Sequence, residues 1–435
     1  MSERIGIGLL GFGVVGSGVA RTLLEKADSI ARRVGQPLEL RGVLVRDTAR
    51  ERLLAGLSLT TDPDAVLADP RVHIVVEVLG GEEPAHGYIR RAIAAGKHVV
   101  TANKEVMAKH GPDLVAAAAG AGVDVAYEAS VGGGIPVIGP FKLDLLANDI
   151  SQVTAIINGT TNYIITRMSQ SGLDFSSALR EAQEAGYAEP DPRNDVEGID
   201  AAYKLTILAT LAFHARVHPS DVYAEGISNL SPSDFRYARE LGYAIKLLAI
   251  GKQTAEGLEL RVHPTMLPTS AMLANVDGVF NAVQVDGDLV GRILFYGRGA
   301  GAGPTSSAVV ADVIDLAQRL PGGASVRAPA VAYETRPIRP LSDVHTRYYL
   351  RLIAADRPGV IASIANVFGD HQISLASVIQ KEDVPLGAAE GNGDRYAEIV
   401  FMTHQAHEAA MQRARERIAE LPAVARIGSV IRVED

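Results

Sequence analysis

The chain opens on glycines set through an otherwise apolar stretch: Gly6, Gly8, Gly11, Gly13, Gly16 and Gly18 punctuate residues 5–20. Nearly uncharged, the stretch could pass for a signal-peptide core. So many glycines make it a poor helix, however, and it falls short of the ~20 apolar residues that a membrane span needs. A strand running into a glycine turn is what it can form. Two registers overlap there, Gly6-x-Gly8-x-x-Gly11 and Gly11-x-Gly13-x-x-Gly16. The first leaves almost no strand ahead of its turn. The second leaves strand 5–10 before it and a helix with Val15, Val19 and Leu23 on one face after it, the context of a dinucleotide fingerprint. Gly11 then makes the turn, Gly13 lets backbone N–H groups approach a pyrophosphate, and Gly16 lets helix and strand pack closely. The helix N-terminus faces the anion with the favourable end of its dipole. A glycine-rich turn in some other α/β protein is the alternative.

Strand–helix alternation continues from that turn. Strands rich in Val and Ile are expected at 40–45, 73–78, 98–100 and 123–127, with a helix at 85–95. Such alternation implies a parallel sheet covered on both faces. Beyond residue 150 the pattern becomes α+β, with strands at 152–157, 258–262 and 282–285 and helices at 175–185, 197–213 and 306–320. Residues 321–340, rich in Pro, Gly, Ala and Arg, read as a linker. A strand at 348–354, a helix at 358–368, strands at 373–379 and 396–402, a helix marked by Met411, Ala414, Ile418 and Leu421, and a strand at 425–433 follow. The stretch 382–394 is a loop. The order βαββαβ is the ferredoxin-like arrangement.

A length of 435 residues predicts about three domains. They are expected at 1–135 (with the helix near 304–320 returning to it), 136–303, and 347–435 after a linker at 321–346. The chain has no cysteine, which excludes disulfides, thiolate nucleophiles and cysteine metal sites and fits a reducing cytoplasm. A net charge of −9 gives no reason to expect nucleic acid or an anionic membrane as partner.

Several polar groups stand out against this frame. After the second strand come Arg46 and Asp47. A guanidinium pairs with a 2′-phosphate where a carboxylate repels it, so Arg46, with Arg50, favours NADP while Asp47 leaves NAD open. Thr101-Ala102-Asn103-Lys104 follows the 98–100 strand, where the carboxyl ends of parallel strands line the ligand crevice. Lys104 there reaches a substrate oxygen, or else is a lysine in an exposed helix cap. Gly186-Tyr187-Ala188-Glu189-Pro190-Asp191-Pro192 holds acids between two prolines, which stiffen a loop that must aim a carboxylate. Asp200 and Lys204 share a helix face. Such a pair is usually a surface salt bridge, but the helical neighbours of Lys204 are Ala201, Ile207, Leu208 and Leu211. A lysine beside a carboxylate in a partly desolvated cleft is suited to give a proton to a carbonyl oxygen. Glu128 to Ile135 ends the fifth strand in a glycine turn whose carboxylate and carbonyls suit a hard monovalent cation, or form a plain interdomain connection. The histidines show no HExxH spacing, and no Ser–His–Asp arrangement can be argued.

Together the glycine fingerprint, Thr101 to Lys104, Glu128 to Ile135, Asn158-Gly159-Thr160-Thr161-Asn162-Tyr163, the 186–192 string, Asp200 with Lys204, and Gly299-Ala300-Gly301-Ala302-Gly303 resemble the homoserine dehydrogenase family over residues 1–330. Asp356-Arg357-Pro358-Gly359 and residues 373–380 resemble an ACT domain. Starting directly at the nucleotide fold, without an aspartokinase half, the chain looks like the monofunctional form. The resemblance implies a Rossmann-type nucleotide-binding domain, an α+β catalytic and dimerisation domain and a C-terminal ferredoxin-like ACT domain. The reaction implied is reversible NAD(P)H-dependent reduction of L-aspartate 4-semialdehyde to L-homoserine, in threonine, methionine and isoleucine biosynthesis. Lys204 would donate the proton and Lys104 would lie toward the cofactor, with Glu189 and Asp200 holding the substrate. Gly11, Phe12, Gly13, Val14, Val15, Gly16, Arg46, Gly80, Thr101, Lys104, Gly186, Glu189 and Gly303 would meet the cofactor. Glu128, Val131, Gly133 and Ile135 would hold Na+ or K+. The resemblance further implies a homodimer or homotetramer and L-threonine as effector. Another NADP-dependent amino-acid dehydrogenase and a non-catalytic NADP and amino-acid sensor are the alternatives. The missing cysteine removes the phosphorylating semialdehyde dehydrogenases, which need a thiol.

Overall fold

The computed structural model describes residues 4–49, 56–320, 333–381 and 395–434. Arg50, residues 321–332 of the expected linker and the 382–394 loop lie outside the described residues. The chain clusters into two compact units, one of residues 1–159, 200–222 and 280–336, the other of 160–199, 223–279 and 337–435.

The first unit contains a six-stranded parallel sheet of β1 (Ile5–Leu10), β2 (Leu38–Leu44), β3 (Leu59–Thr60), β4 (Val72–Glu77), β5 (His98–Thr101) and β6 (Val125–Ala126), in the order β3-β2-β1-β4-β5-β6. Every residue of β1 is buried, as a strand covered on both faces requires. The strand order reverses beside β1, and a ligand crevice forms at the carboxyl ends of strands around such a switch point. β6 is shorter than the 123–127 strand expected, because at Tyr127 the chain leaves the sheet for a 3-10 turn over Glu128–Ser130.

Helix Ala302–Arg319, late in the chain, packs on helix Val14–Glu25: a Cβ on Gly18 would collide with Ser306 Oγ, and that hydroxyl donates to the Val15 carbonyl. Val309, Val313 and Leu316 join the core built on Ile7, Leu9 and Ile74. An antiparallel run of Gly291–Arg298, Phe280–Gly287 and Ile150–Ile156 and the largely buried helix Ile199–Ala212 complete the unit.

In the second unit, hairpin Tyr243–Thr254/Gly257–Pro268 is followed by strands Val424–Val433, His345–Ala355, Tyr396–Thr403 and Leu375–Lys381, in that spatial order. Helices Val360–Asp370 and Glu408–Ala419 close a core with Tyr348, Phe368 and Phe401. The last four strands and two helices form the ferredoxin-like arrangement. The units cut across the divisions expected from sequence, since the C-terminal module clusters with the 243–268 hairpin. Thr265 and Met266 pair in parallel with Arg432 and Val433, and a buried ionic network reinforces the join. Arg351 donates to Asp234 at 2.7 Å and to Glu398 at 3.0 Å, and Ser429 Oγ donates to Asp234. Burial pushes the Asp234 carboxyl up, but Arg351 and Ser429 outweigh it and hold it below its ordinary value. Among the described residues no helix is long and apolar enough to cross a membrane.

Candidate active site

The glycine turn sits where the fingerprint places it. Gly11 has φ +104°, its N–H donates to the Leu44 carbonyl, and the Val78 N–H donates to the Leu10 carbonyl, so the turn is pinned between β2 and β4. A Cβ on Gly16 would collide with the Gly11 carbonyl oxygen, whereas a Cβ on Gly13 would meet nothing within 4 Å. Gly13 caps helix Val14–Glu25 with no side-chain hydrogen bond to the first turn, and Val14 is 71% exposed. Open space at a helix N-terminus is where a pyrophosphate fits. Phe12 and Val15 pack against the sheet core, while Gly80 is an open left-handed turn after β4. Arg46 is exposed, and Asp47 Oδ1 accepts from the Ala49 N–H at 2.8 Å. Gly303, in the first turn of helix Ala302–Arg319, would carry a Cβ without obstruction.

β5 delivers the first lysine. Asn103 caps helix Lys104–Gly120, its side chain accepting from the Val106 N–H and donating to the Gly81 carbonyl at 2.7 Å. Thr101 is fully buried; its hydroxyl donates to Glu77 at 2.6 Å and accepts from the Asn103 N–H. The side chain of Thr101 therefore faces the protein interior, and only its main chain is left to meet a cofactor. Glu77, buried at the end of β4, also accepts from the Leu79 N–H, and burial pushes its carboxyl up. This acid ties the ends of β4 and β5 together. The motif reading missed it, although an acid closing the apolar 73–78 run was visible.

Lys104 Nζ lies 2.5 Å from Asp200 Oδ1, and Lys204 Nζ lies 2.8 Å from Asp200 Oδ2. The Asp200 side chain is 3% exposed, that of Lys204 12% and that of Lys104 44%. Lys204 also donates to the Ile157 carbonyl at 2.7 Å, and Asn158 Nδ2 donates to Asp200 Oδ2 at 2.8 Å. Burial alone would push the Asp200 carboxyl up, but the Lys204 and Lys104 ammonium groups prevail and hold it well below the carboxylate range. One buried carboxylate thus gathers two ammonium groups, at the side of the sheet where β5 ends. Asp200, expected to hold the substrate, thus lies where Lys104, Lys204 and Asn158 meet. Asn158 was missed as a site residue; it heads the Asn-Gly-Thr-Thr-Asn string, whose spacing alone gave it no role.

The 128–135 turn is tied to the helix that follows it. Glu128 Oε1 accepts from the Val137 and Ile138 N–H groups and Oε2 from that of Gly139, at 2.6, 2.9 and 2.7 Å. The carboxylate thus caps helix Ile138–Lys142. Gly132 and Gly133 are left-handed, which turns successive carbonyls apart, and the carbonyls of Val131, Gly133 and Ile135 are the chemistry that suits a hard cation. Among the described residues no three His, Cys, Asp or Glu side chains converge as a metal site. Gly186 and Glu189 belong to the second unit. Gly186, at φ +74°, follows helix Phe175–Glu184; Glu189 is exposed, its carbonyl accepting from Gln183 at 3.2 Å, and Thr160 donates to the Tyr187 carbonyl at 2.7 Å.

Comparison with known proteins fits this layout. The model described as "Homoserine dehydrogenase, NAD binding domain" matches residues 11–128, that described as "Homoserine dehydrogenase" residues 136–314, and the ACT domain model residues 348–423. A homoserine dehydrogenase of Synechocystis sp. is 46% identical over 98% of this chain and 99% of its own length. The chain belongs to the homoserine dehydrogenase family. Within that family, a crystal structure from Thiobacillus denitrificans superposes with a TM-score of 0.92 at 46% identity, over 99% of this chain and 98% of that one. A hyperthermophilic archaeal homoserine dehydrogenase in complex with NADPH matches 72% of this chain and 97% of its own, with a TM-score of 0.62 and 26% identity. The chain is accordingly an oxidoreductase, a homoserine dehydrogenase with a nucleotide-binding Rossmann-type domain and a C-terminal ACT domain.

Proposed function

We propose that this dehydrogenase interconverts L-aspartate 4-semialdehyde and L-homoserine with NADP, and that Lys204 is its proton donor. The observation that carries the reading is the pair of ammonium groups on Asp200, one of them nearly buried. A bound nicotinamide supplies the hydride that reaches the aldehyde carbon. The chain's own residues handle the charge this leaves on oxygen. Lys204 Nζ, held by the Ile157 carbonyl and Asp200, gives its proton to that oxygen and recovers it in the reverse direction. Lys104 stabilises the same negative charge from the cofactor side. Asp200 is counter-ion to both lysines and, with Glu189, would hold the substrate, a carboxylate being a suitable partner for its α-ammonium.

Gly11 to Gly16, Gly80, the Thr101 main chain, Gly186 and Gly303 would hold the dinucleotide. Exposed Arg46 would meet a 2′-phosphate, a reading supported by Asp47 bonding its own loop and by the NADPH-bound archaeal relative. Glu128 and the carbonyls of Val131, Gly133 and Ile135 would hold Na+ or K+. The enzyme would work as a dimer or tetramer in the cytoplasm, on the route to threonine, methionine and isoleucine, with L-threonine as effector at the ACT domain. The test is NADP and NAD reduction with L-homoserine, with and without L-threonine. Turnover that favours NADP and falls with threonine is expected. No turnover with either cofactor refutes the catalytic reading and leaves a binding-only sensor.

A further inference from the structure

Of the carboxylates around the ends of β4 and β5, Asp200 and Glu82 are balanced by cations. Asp200 has the Lys104 and Lys204 ammonium groups on it. Glu82, in the turn after β4, lies 2.7 Å from Lys109 Nζ, and that ammonium with His110 holds its carboxyl down at about 2. Glu77, the last residue of β4, is the exception. It is fully buried, and among the described residues no ammonium, guanidinium or imidazole pairs with it. The groups that meet it are hydrogen-bond donors. The Leu79 N–H gives to one oxygen at 2.7 Å and the Thr101 hydroxyl to the other at 2.6 Å, and the Asn103 side chain and the Gly80 N–H add to them. An ionised carboxylate only accepts, so these donors suit the charged form and work against the burial that pushes the carboxyl up.

A buried anion lacking a counter-ion is costly, and it becomes favourable when a cation arrives beside it. The sheet says which end of a dinucleotide comes here. The start of helix Val14–Glu25 takes the pyrophosphate, and exposed Arg46, after β2, takes the adenosine side. The nicotinamide half then lies on the other side of β1, over the ends of β4 and β5, where Lys104, Asp200 and Lys204 meet. Gly80 leaves room for it: φ is +79°, and a Cβ there would meet nothing within 4 Å. Glu77 holds the underside of the same turn. The turn is also fixed from outside, because Asn103 donates to the Gly81 carbonyl at 2.7 Å and Glu82 is bound to Lys109. The carboxylate therefore presents its charge from a set position and away from water, where charge acts over longer range.

We propose that Glu77 sets the balance between the two redox forms of the cofactor: its buried carboxylate favours the oxidised nicotinamide ring, which carries a positive charge, over the reduced ring, which carries none. The inference rests on reading the chain as an NADP-dependent dehydrogenase with its nicotinamide over β4 and β5. It gives Glu77 a task that a plain tie between two strand ends does not have. A tie holds the turn equally for both forms of the cofactor, whereas a charge distinguishes them.

The experiment is titration of the full chain with NADPH, followed by fluorescence, and with NADP+, followed by calorimetry. Glu77→Gln keeps the shape of the side chain and removes its charge. It should weaken NADP+ about fivefold or more and NADPH by less than about twofold, so the ratio of the two Kd values rises. Thr101→Val removes one hydrogen bond to the carboxylate and leaves its charge, so any loss should fall on both forms and the ratio should stay within about twofold of wild type. If Glu77→Gln does not fold, Glu77→Asp, which draws the charge back by one methylene, is read in the same way, with a shift of the ratio of at least about twofold in the same direction. A ratio unmoved in the Glu77 variant, or an equal loss for both forms, overturns the proposal and leaves Glu77 a tie between strands. A wild type that binds neither form overturns the cofactor reading itself, and this inference with it.

Discussion

Replacing Asp200 by asparagine keeps the shape of the side chain and removes the negative charge between two ammonium groups. Lys204 loses a charged hydrogen bond of 2.8 Å to a carboxylate that is 3% exposed. A hydrogen bond to a charged group contributes about 1.5–3 kcal/mol, and a loss near 2–3 kcal/mol in the transition state corresponds to about 30- to 150-fold in rate. Lys104, 44% exposed and screened by water, adds less than about 1 kcal/mol. Without the carboxylate, the desolvated Lys204 ammonium faces its like-charged neighbour and sheds its proton more readily. Reduction of L-aspartate 4-semialdehyde needs the protonated lysine, so its alkaline limb must move to lower pH. The assay is a steady-state pH profile of kcat/KM for Asp200→Asn beside the wild type, with cofactor affinity measured separately. A kcat/KM within about threefold of wild type and an unmoved alkaline limb would refute the idea that Asp200 organises the two lysines.

Other expectations follow from the same structure. Gly13→Ala should fold normally and raise the KM for the cofactor about tenfold or more, because its Cβ enters open space at the helix N-terminus; Gly16→Ala should instead cost about 1–3 kcal/mol in urea unfolding, because its Cβ overlaps the Gly11 carbonyl. Asp234→Asn strips a buried guanidinium of its partner and should destabilise by about 3–5 kcal/mol. Because the folded state lowers the Asp234 pKa below its ordinary value of 3.8, its stabilisation is present above that pH and lost as pH falls through the folded value; an acid-unfolding curve that Asp234→Asn leaves unchanged contradicts this. Burial and the neighbouring Glu128 carboxylate push Asp312 from 3.8 up to about 7. The sign is then opposite: between about pH 4 and 7 the native state binds the extra proton, stability falls as pH rises, and Asp312→Asn should flatten that slope in pH-dependent denaturant unfolding.

The repeating parts of the fold were legible because they obey a period. Strand β1 was readable residue for residue, since a doubly covered strand is apolar throughout and the glycine turn marks its end. The ferredoxin-like order of the last module was readable from its alternating strand and helix patterns. The joining of that module to the 243–268 hairpin was not, because it depends on a two-residue parallel pairing and on Arg351 meeting Asp234 far away in sequence. At the site, Asp200 and Lys204 were visible as neighbours on one helix, but the convergence of Lys104 from another strand end is a tertiary fact. Nor were the three backbone N–H groups from which the Glu128 carboxylate accepts legible, because they lie beyond the 128–135 motif.

The most direct test of the account is Lys204→Ala. With cofactor binding followed by fluorescence titration and turnover by NADP reduction with L-homoserine, the account predicts that turnover is abolished while the cofactor Kd stays within about twofold of wild type. Near-normal turnover in that variant would contradict the assignment of Lys204 as the residue that moves the proton.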